Sequence, residues 1–324
     1  MLPSTMLQQV QTIQRQLCFL VLGLLSAGLI AACQGGSTSQ SVQSQPLSDC
    51  HLSEHALGQV CVPANPQAVI SLEETTFADA IALGITPIGT ATYEDVSIDY
   101  LSSYSSQTKL VGRSEEPNLE EILSLKPDLI VGLEYAGEFT FEPLSQIAPT
   151  ALGEWKGYSS WREHFDFVAR ILGKENAAEE VWADYSQRIS ELKAALDNQL
   201  TNKKVTSLYS YAGGMTIDAE NSFIGSILSD LGIRQPDYPA TEDGTIALSE
   251  ELLPTIDADI LFFSIYDEAS KQTLANWEKK PLWQQLKAVQ SNQVYVVDAD
   301  IWRAGNPIAA NLIIDDLFKH LIDK

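Results

Sequence analysis

His51-Leu52-Ser53-Glu54-His55 is the stretch whose spacing by itself names a chemistry. H-x-x-E-H is an inverted zinc-hydrolase pattern, with two imidazoles to hold the metal and a carboxylate to act as base. The pattern works only on a helix, where both His share a face. Here Cys50 and Cys61 flank it, Leu57-Gly58-Gln59 reads as a turn, and Pro63 follows. The segment therefore reads as a hairpin carrying two polar His. Only His164 and His320 remain elsewhere, neither with a partner close in sequence, and there is no G-x-S-x-G or P-loop run. The expectation is a protein with no catalytic residue, no cofactor and no directly held metal; a zinc-dependent hydrolase is the enzyme alternative.

The chain has four cysteines. Cys18 lies in an apolar run from Leu17 to Ile30, too short for a comfortable membrane span. Ile30-Ala31-Ala32-Cys33 resembles the signal-peptidase site of bacterial lipoproteins, in which the Cys is lipidated and becomes the first residue. That resemblance implies a signal peptide over residues 1–32 and a lipid anchor at Cys33; an uncleaved anchor is the alternative. Gln34-Gly35-Gly36-Ser37-Thr38-Ser39-Gln40-Ser41 is a flexible polar tether, and residues 33–64 are read as tether plus hairpin. Anchor and tether place a folded domain on the exported side of a cell membrane, the periplasmic side. Cys50 and Cys61 are the remaining pair, and a hairpin-closing disulfide suits an oxidising compartment; two free thiols are the alternative. Without Arg15 the chain has 19 basic residues against 43 acidic, a formal charge of −24. Nucleic acid, which needs a basic surface, is excluded as a partner.

From Pro66 onward the pattern is α/β. Val69-Ile70-Ser71-Leu72, Ile85 to Thr90, Leu110-Val111-Gly112 and Asp128 to Gly132 read as short buried strands, with helices from Thr76 to Leu83 and from Asn118 to Lys126 between them. The second half repeats the first. Leu83-Gly84-Ile85 with Pro87 is mirrored by Leu231-Gly232-Ile233 with Pro236. Glu120 precedes Asp128 by eight residues, as Glu251 precedes Asp259. Two lobes built alike thus each present a Glu at the same place, Glu120 and Glu251. Between them, Val181, Tyr185, Ile189, Leu192 and Leu196 make one stripe on an uninterrupted helix, a strut assigned to residues 175–200. The lobes are residues 65–174 and 201–324. The fold class is α/β: two Rossmann-like lobes with central, mostly parallel sheets, joined by one long backbone helix, with a ligand cleft between them.

At this point the residues carry a resemblance. Asn65-Pro66-Gln67-Ala68-Val69-Ile70, Leu83 to Gly89, Glu116-Pro117-Asn118-Leu119-Glu120, Leu125-Lys126-Pro127-Asp128-Leu129-Ile130, Ile147-Ala148-Pro149-Thr150 and Pro281 to Val289 occur in an order and spacing similar to the substrate-binding lipoproteins of ABC importers for iron-siderophores, haem and cobalamin, the helical-backbone class. The resemblance implies a monomer that is not an enzyme, that captures a ferric-siderophore and that delivers it to a permease dimer; haem or cobalamin is the alternative ligand. It implies that Glu120 and Glu251 dock onto permease arginines, and that Arg113, Tyr135 and Trp302 meet the ligand. Arg303 would supply a second cation, and Tyr209 a further contact. An Arg suits a ferric chelate because it offers fixed donors to partly negative oxygens. Some hydroxamate binders of this family carry a second Trp shortly before the sequence that here reads Thr245-Ile246-Ala247-Leu248-Ser249. This chain has Asp243-Gly244 there, which leaves citrate-based and mixed chelates open.

Overall fold

The computed structural model describes residues 50–93, 99–197, 199–200, 202–211, 213–239, 241–256 and 258–322; Cys33 and the expected signal peptide lie outside the described residues. The first elements, β1 (Cys50–His55) and β2 (Gly58–Pro63), form an antiparallel hairpin closed by a Cys50–Cys61 disulfide with Cα atoms 5.5 Å apart. Gly58 pairs with His55, so the turn is Ala56-Leu57, slightly earlier than the spacing suggested. The hairpin packs on the lobe that follows and is not a free tether. Val62 is fully buried with Val69, Leu129 and Phe165, and the Ala56 N–H donates to Leu152 O at 2.8 Å. His51 and His55 stand four residues apart on a strand, about 13 Å along it at roughly 3.4 Å per residue. Side chains that stand off a strand at that separation cannot converge on one ion, which removes the geometric basis of the zinc-hydrolase alternative.

The first sheet has six strands in the order β6-β5-β4-β3-β7-β8. They are β3 (Val69–Ser71), β4 (Gly89–Thr92), β5 (Lys109–Arg113), β6 (Glu116–Pro117), β7 (Leu129–Leu133) and β8 (Thr150–Gly153). All pairings are parallel except β5 with β6. The second sheet runs β11-β10-β9-β12-β13, from β9 (Val205–Tyr211), β10 (Gly214–Asp218), β11 (Thr245–Leu248), β12 (Ile260–Ile265) and β13 (Val294–Asp298). Here β9, β12 and β13 are parallel, while β10 and β11 add an antiparallel edge. Strand β7, wholly buried, and β9, buried up to the exposed Tyr211 at its end, read as continuous apolar or small-residue runs, as parallel strands covered on both faces should.

The internal repeat has a physical counterpart at each matched position. Asp128 accepts the N–H groups of Gln67 and Ala68 at 2.7 and 3.0 Å, and Asp259 accepts that of Lys204 at 2.9 Å. Each carboxylate therefore ties the entry of one strand to the entry of the lobe's first strand. Ile122 and Leu253, both two residues after their lobe's Glu, are fully buried. The helices Glu74–Ala82 and Phe223–Asp230 stop the same way. Gly84 and Gly232 have φ of 78° and 72°, and the next residues, Ile85 and Ile233, donate back to Ala80 O and Leu228 O. That left-handed exit is open to glycine and strained for residues with a Cβ.

The strut is the helix Glu175–Leu196, which ends where Asp197 turns to φ 46°. Its 22 residues span about 33 Å at roughly 1.5 Å each. The stripe serves two cores in succession. Ala177, Ala178 and Val181 pack with Phe165 and Val168 of the first lobe; Tyr185, Ile189, Leu192 and Leu196 pack with Phe223, Ile227 and Ile313 of the second. Trp182 touches both, edge-on to Phe165 and Trp161, with its indole N–H on Asp166 at 2.8 Å. If the two glycine exits are equivalent, Gly84→Ala and Gly232→Ala should each lower stability by about 1 kcal/mol. Chemical denaturation midpoints of the two variants check this, and a shift in only one would break the equivalence.

Candidate ligand-binding cleft

Every parallel strand in both sheets except β5 ends beside one cavity, of about 840 Å³. Glu73 and Glu74 follow β3, Tyr93 follows β4, Tyr135 follows β7, and Trp155 and Tyr158 follow β8. From the other lobe come Tyr209 and Tyr211 at the end of β9, Tyr266 and Asp267 after β12, and Asp300 and Arg303 after β13. This is the ordinary consequence of parallel topology, which delivers chain to the carboxyl ends of strands and opens a crevice there. With Tyr100, seven of the chain's 11 tyrosines face the cavity.

Arg303 is the cation of this wall and is nearly buried. Its Nη1 donates to Asp218 Oδ1 at 2.6 Å and its Nε to the Tyr266 hydroxyl at 2.9 Å. Its guanidinium carbon lies 3.4 Å from the centre of the Tyr209 ring and 5.3 Å from that of Tyr158. Burial pulls the Arg303 pKa down, but Asp218, then Tyr266, Tyr158 and Tyr209, carry it above the ordinary value. Asp218 is itself raised by burial despite Arg303 and a 2.9 Å bond from Ser207 Oγ. Burial likewise raises Tyr100, Tyr135, Tyr158 and Tyr266, so these phenols keep their protons and offer O–H donors. The Tyr93 phenol is raised first by its hydrogen bond with Tyr211, which reaches it from the opposite lobe.

The floor is polar and buried. Glu73 caps the helix Glu74–Ala82 by accepting the Thr76 N–H at 3.0 Å, and its other oxygen accepts the Leu133 N–H at 3.0 Å. Burial pushes its pKa from 4.5 up to about 7 against these two bonds, with Glu74 adding repulsion. Behind it, Thr76 Oγ1 shares a 2.8 Å hydrogen bond with His164 Nε2. Burial lowers His164 to about 3, so the ring is neutral at pH 7. Asp79 lies 3.8 Å from His164, its carboxylate oxygens have no hydrogen-bond partner among the described residues, and it is raised well above its usual range by burial, then by Glu73 and Asp166. At the close approach of Asp79 and His164, burial thus shifts both groups toward their neutral forms.

The residues expected from sequence divide. Tyr135, Tyr209 and Arg303 are brought together in the cavity wall. Arg113 is exposed at the end of β5, outside that wall, near enough to Tyr93 for its charge to act on that phenol. Trp302 is not in the cleft. It is fully buried against Phe262, with ring centres 4.6 Å apart, and its indole N–H donates to Asp316 at 2.8 Å. The wall's tryptophan is Trp155, which sequence reasoning missed along with Glu73, Tyr93, Tyr158 and Tyr266. The signal was available for most of them: Glu73, Tyr93, Trp155 and Tyr266 lie one or two positions beyond a strand end. Glu120 is exposed in the first turn of the helix Leu119–Leu125, capped by Asn118. Glu251 is exposed too, but in a 3-10 turn, Glu250–Thr255, that contains Pro254.

Two α/β lobes, a shared helix and an aromatic cavity between strand ends define a solute-binding protein of the helical-backbone type. The chain belongs to the periplasmic binding protein family, whose model matches residues 69–301. It is 33% identical over 94% of its length to the "Probable siderophore-binding lipoprotein YfiY" of Bacillus subtilis, covering 97% of that protein. It is 32% identical over 86% of its length to the Fe(3+)-citrate-binding protein YfmC of the same organism, covering 88% of it. Among solved structures it is similar to Staphylococcus aureus SirA complexed with staphyloferrin B, with a TM-score of 0.73 and 28% identity over 84% of this chain and 98% of that one.

A carboxyl whose pKa is higher folded than unfolded takes up a proton on folding. The stabilisation from protonated Glu73 is thus full below 4.5 and is lost as pH rises to about 7. His164 works the other way: its depressed pKa removes stability as pH falls below 6.5. Comparing the parent chain with Glu73→Gln isolates the first effect. The stability of the parent relative to the variant should fall by about 3 kcal/mol between pH 4.5 and 7, read from urea unfolding at each pH.

Proposed function

We propose that this protein captures a ferric siderophore on the extracytoplasmic side of a cell membrane, held there by a lipid at Cys33, and delivers it to the permease dimer of an ABC importer. The observation that carries this reading is the cavity itself. Its phenol and indole faces, phenolic donors and a buried guanidinium suit a rigid, oxygen-decorated chelate, and the two relatives are named for siderophore and ferric-citrate binding. Arg303, Tyr135 and Tyr209 are the proposed contacts among the sequence candidates, with Arg113 at the rim. No covalent change to the ligand is required of these groups, and iron stays with its chelator. Glu120 and Glu251, exposed on matching positions of the two lobes, are the proposed docking points.

Two measurements test the reading. A ferric chelate entering the cavity should quench Trp155, so titration of the parent chain and of Trp302→Phe should show quenching that Trp155→Phe loses. If Trp155→Phe keeps the full signal on adding ferric hydroxamate, citrate or catecholate chelates, the ligand does not enter this cavity. The double variant Glu120→Ala, Glu251→Ala should bind ligand with unchanged affinity and support no uptake in cells; normal uptake would remove both from docking.

A further inference from the structure

The charge inside the cleft selects among ferric chelates. Glu74, Asp267 and Asp300 line the cavity together with the buried, partly protonated Glu73, and the lining contains one guanidinium, that of Arg303. That guanidinium is already engaged by Asp218 at 2.6 Å, so most of its charge is met from behind the wall. Asp267 caps the helix Glu268–Trp277, and its bonds to Ser270 hold its pKa below the usual value, so it is ionised at pH 7. Glu74 acts through the cavity far enough to help raise Tyr100, Tyr135 and Tyr158, and Asp300 helps raise Tyr100. The whole chain adds a field of the same sign, with a formal charge of −23.

A ferric tris-catecholate is a trianion, because six phenolate charges surround a tricationic metal, and ferric dicitrate is also multiply anionic. Either would sit among carboxylates in a partly desolvated cavity, where like charges are screened weakly. A ferric tris-hydroxamate is neutral, because three hydroxamate charges balance the metal. Its carbonyl and N–O oxygens can accept from protonated phenols such as Tyr135 and Tyr158, and its methylene spacers suit aromatic faces. A pendant ammonium would meet ring faces and carboxylates, both favourable to a cation. We propose that this cleft takes ferric chelates of low net charge, built on hydroxamates, and rejects multiply anionic ones. The inference rests on the ferric-siderophore reading above and narrows it to a chemical class.

The test uses the full chain and tryptophan quenching with a graded set of probes: ferrioxamine B, a linear ferric tris-hydroxamate ending in an ammonium; its neutral N-acetyl and monoanionic N-succinyl derivatives; a trianionic ferric tris-catecholate; ferric dicitrate; and haem. The expected order is cation and neutral chelate tightest, the N-succinyl derivative weaker, and the tris-catecholate and dicitrate at least 100-fold weaker than the neutral chelate (about 2.7 kcal/mol). Glu74→Gln with Asp300→Asn should shrink the ratio of neutral to trianionic affinity about tenfold. Tris-catecholate or dicitrate binding as tightly as the neutral hydroxamate would overturn the charge rule and leave the ferric-siderophore reading standing. Binding of haem alone, or of no chelate, would overturn both. An unchanged ratio in the double variant would show that these carboxylates do not set the selectivity.

Discussion

A single helix that belongs to two hydrophobic cores is the constraint on which the rest of this molecule depends. The strut gives Ala178 and Val181 to the first core and Ile189, Leu192 and Leu196 to the second. Neither set can leave its core without exposing apolar surface, at roughly 25 cal/mol per Å². The distance between the lobes is therefore set by packing, and so is the width of the crevice where their strands end. Arg162 adds to this lock: it bonds Asp230 of the second lobe at 2.5 Å, and Tyr185 of the strut donates to the same carboxylate at 2.6 Å. At the rim, Tyr93 and Tyr211 meet across the gap.

With that width fixed, the cavity's chemistry follows from topology and dielectric. Parallel strands place their successors at one end, so both lobes contribute walls without either containing a site alone. Burial then sets the protonation states. It keeps the phenols as donors, holds His164 neutral, and leaves Glu73 near half-ionised at neutral pH. Arg303 stays charged in the same environment because Asp218 lies against it. A buried pair of this kind is poor evidence for stability, but it holds the guanidinium in one orientation over the Tyr209 ring. The outcome is a pocket of flat faces and neutral donors, acidic at its edges.

The repeat links this cavity to the outer surface. Asp128 and Asp259 anchor equivalent strand entries, and the buried Ile122 and Leu253 hold the segments bearing Glu120 and Glu251 against their sheets. The match is incomplete in one respect. Pro254 cannot donate a helical hydrogen bond, and the second segment is a 3-10 turn where the first is an α-helix. The acidic side chains keep corresponding places because the buried residue two positions on, and not the helix type, sets the depth of each segment.

What the sequence determined by itself was periodic or local. Alternating apolar runs, the paired Leu-Gly-Ile exits, the Glu-to-Asp spacing and the stripe from Val181 to Leu196 lie within short windows, where backbone geometry dictates which residues share a face. They were enough for two lobes, a joining helix and symmetric glutamates. The antiparallel edge of β10 and β11 was not legible, since strand direction depends on which neighbour a strand meets. The cleft was legible only in part. Tyr135, Tyr209 and Arg303 face it, whereas Trp302, close to the same strand end, turns into the core to satisfy its N–H on Asp316 and pack on Phe262. Arg303, the very next residue, points the other way because Asp218 and Tyr266 wait for it there. Which of two adjacent side chains enters a cavity is settled by partners from distant segments, and only the tertiary structure brings those partners into reach.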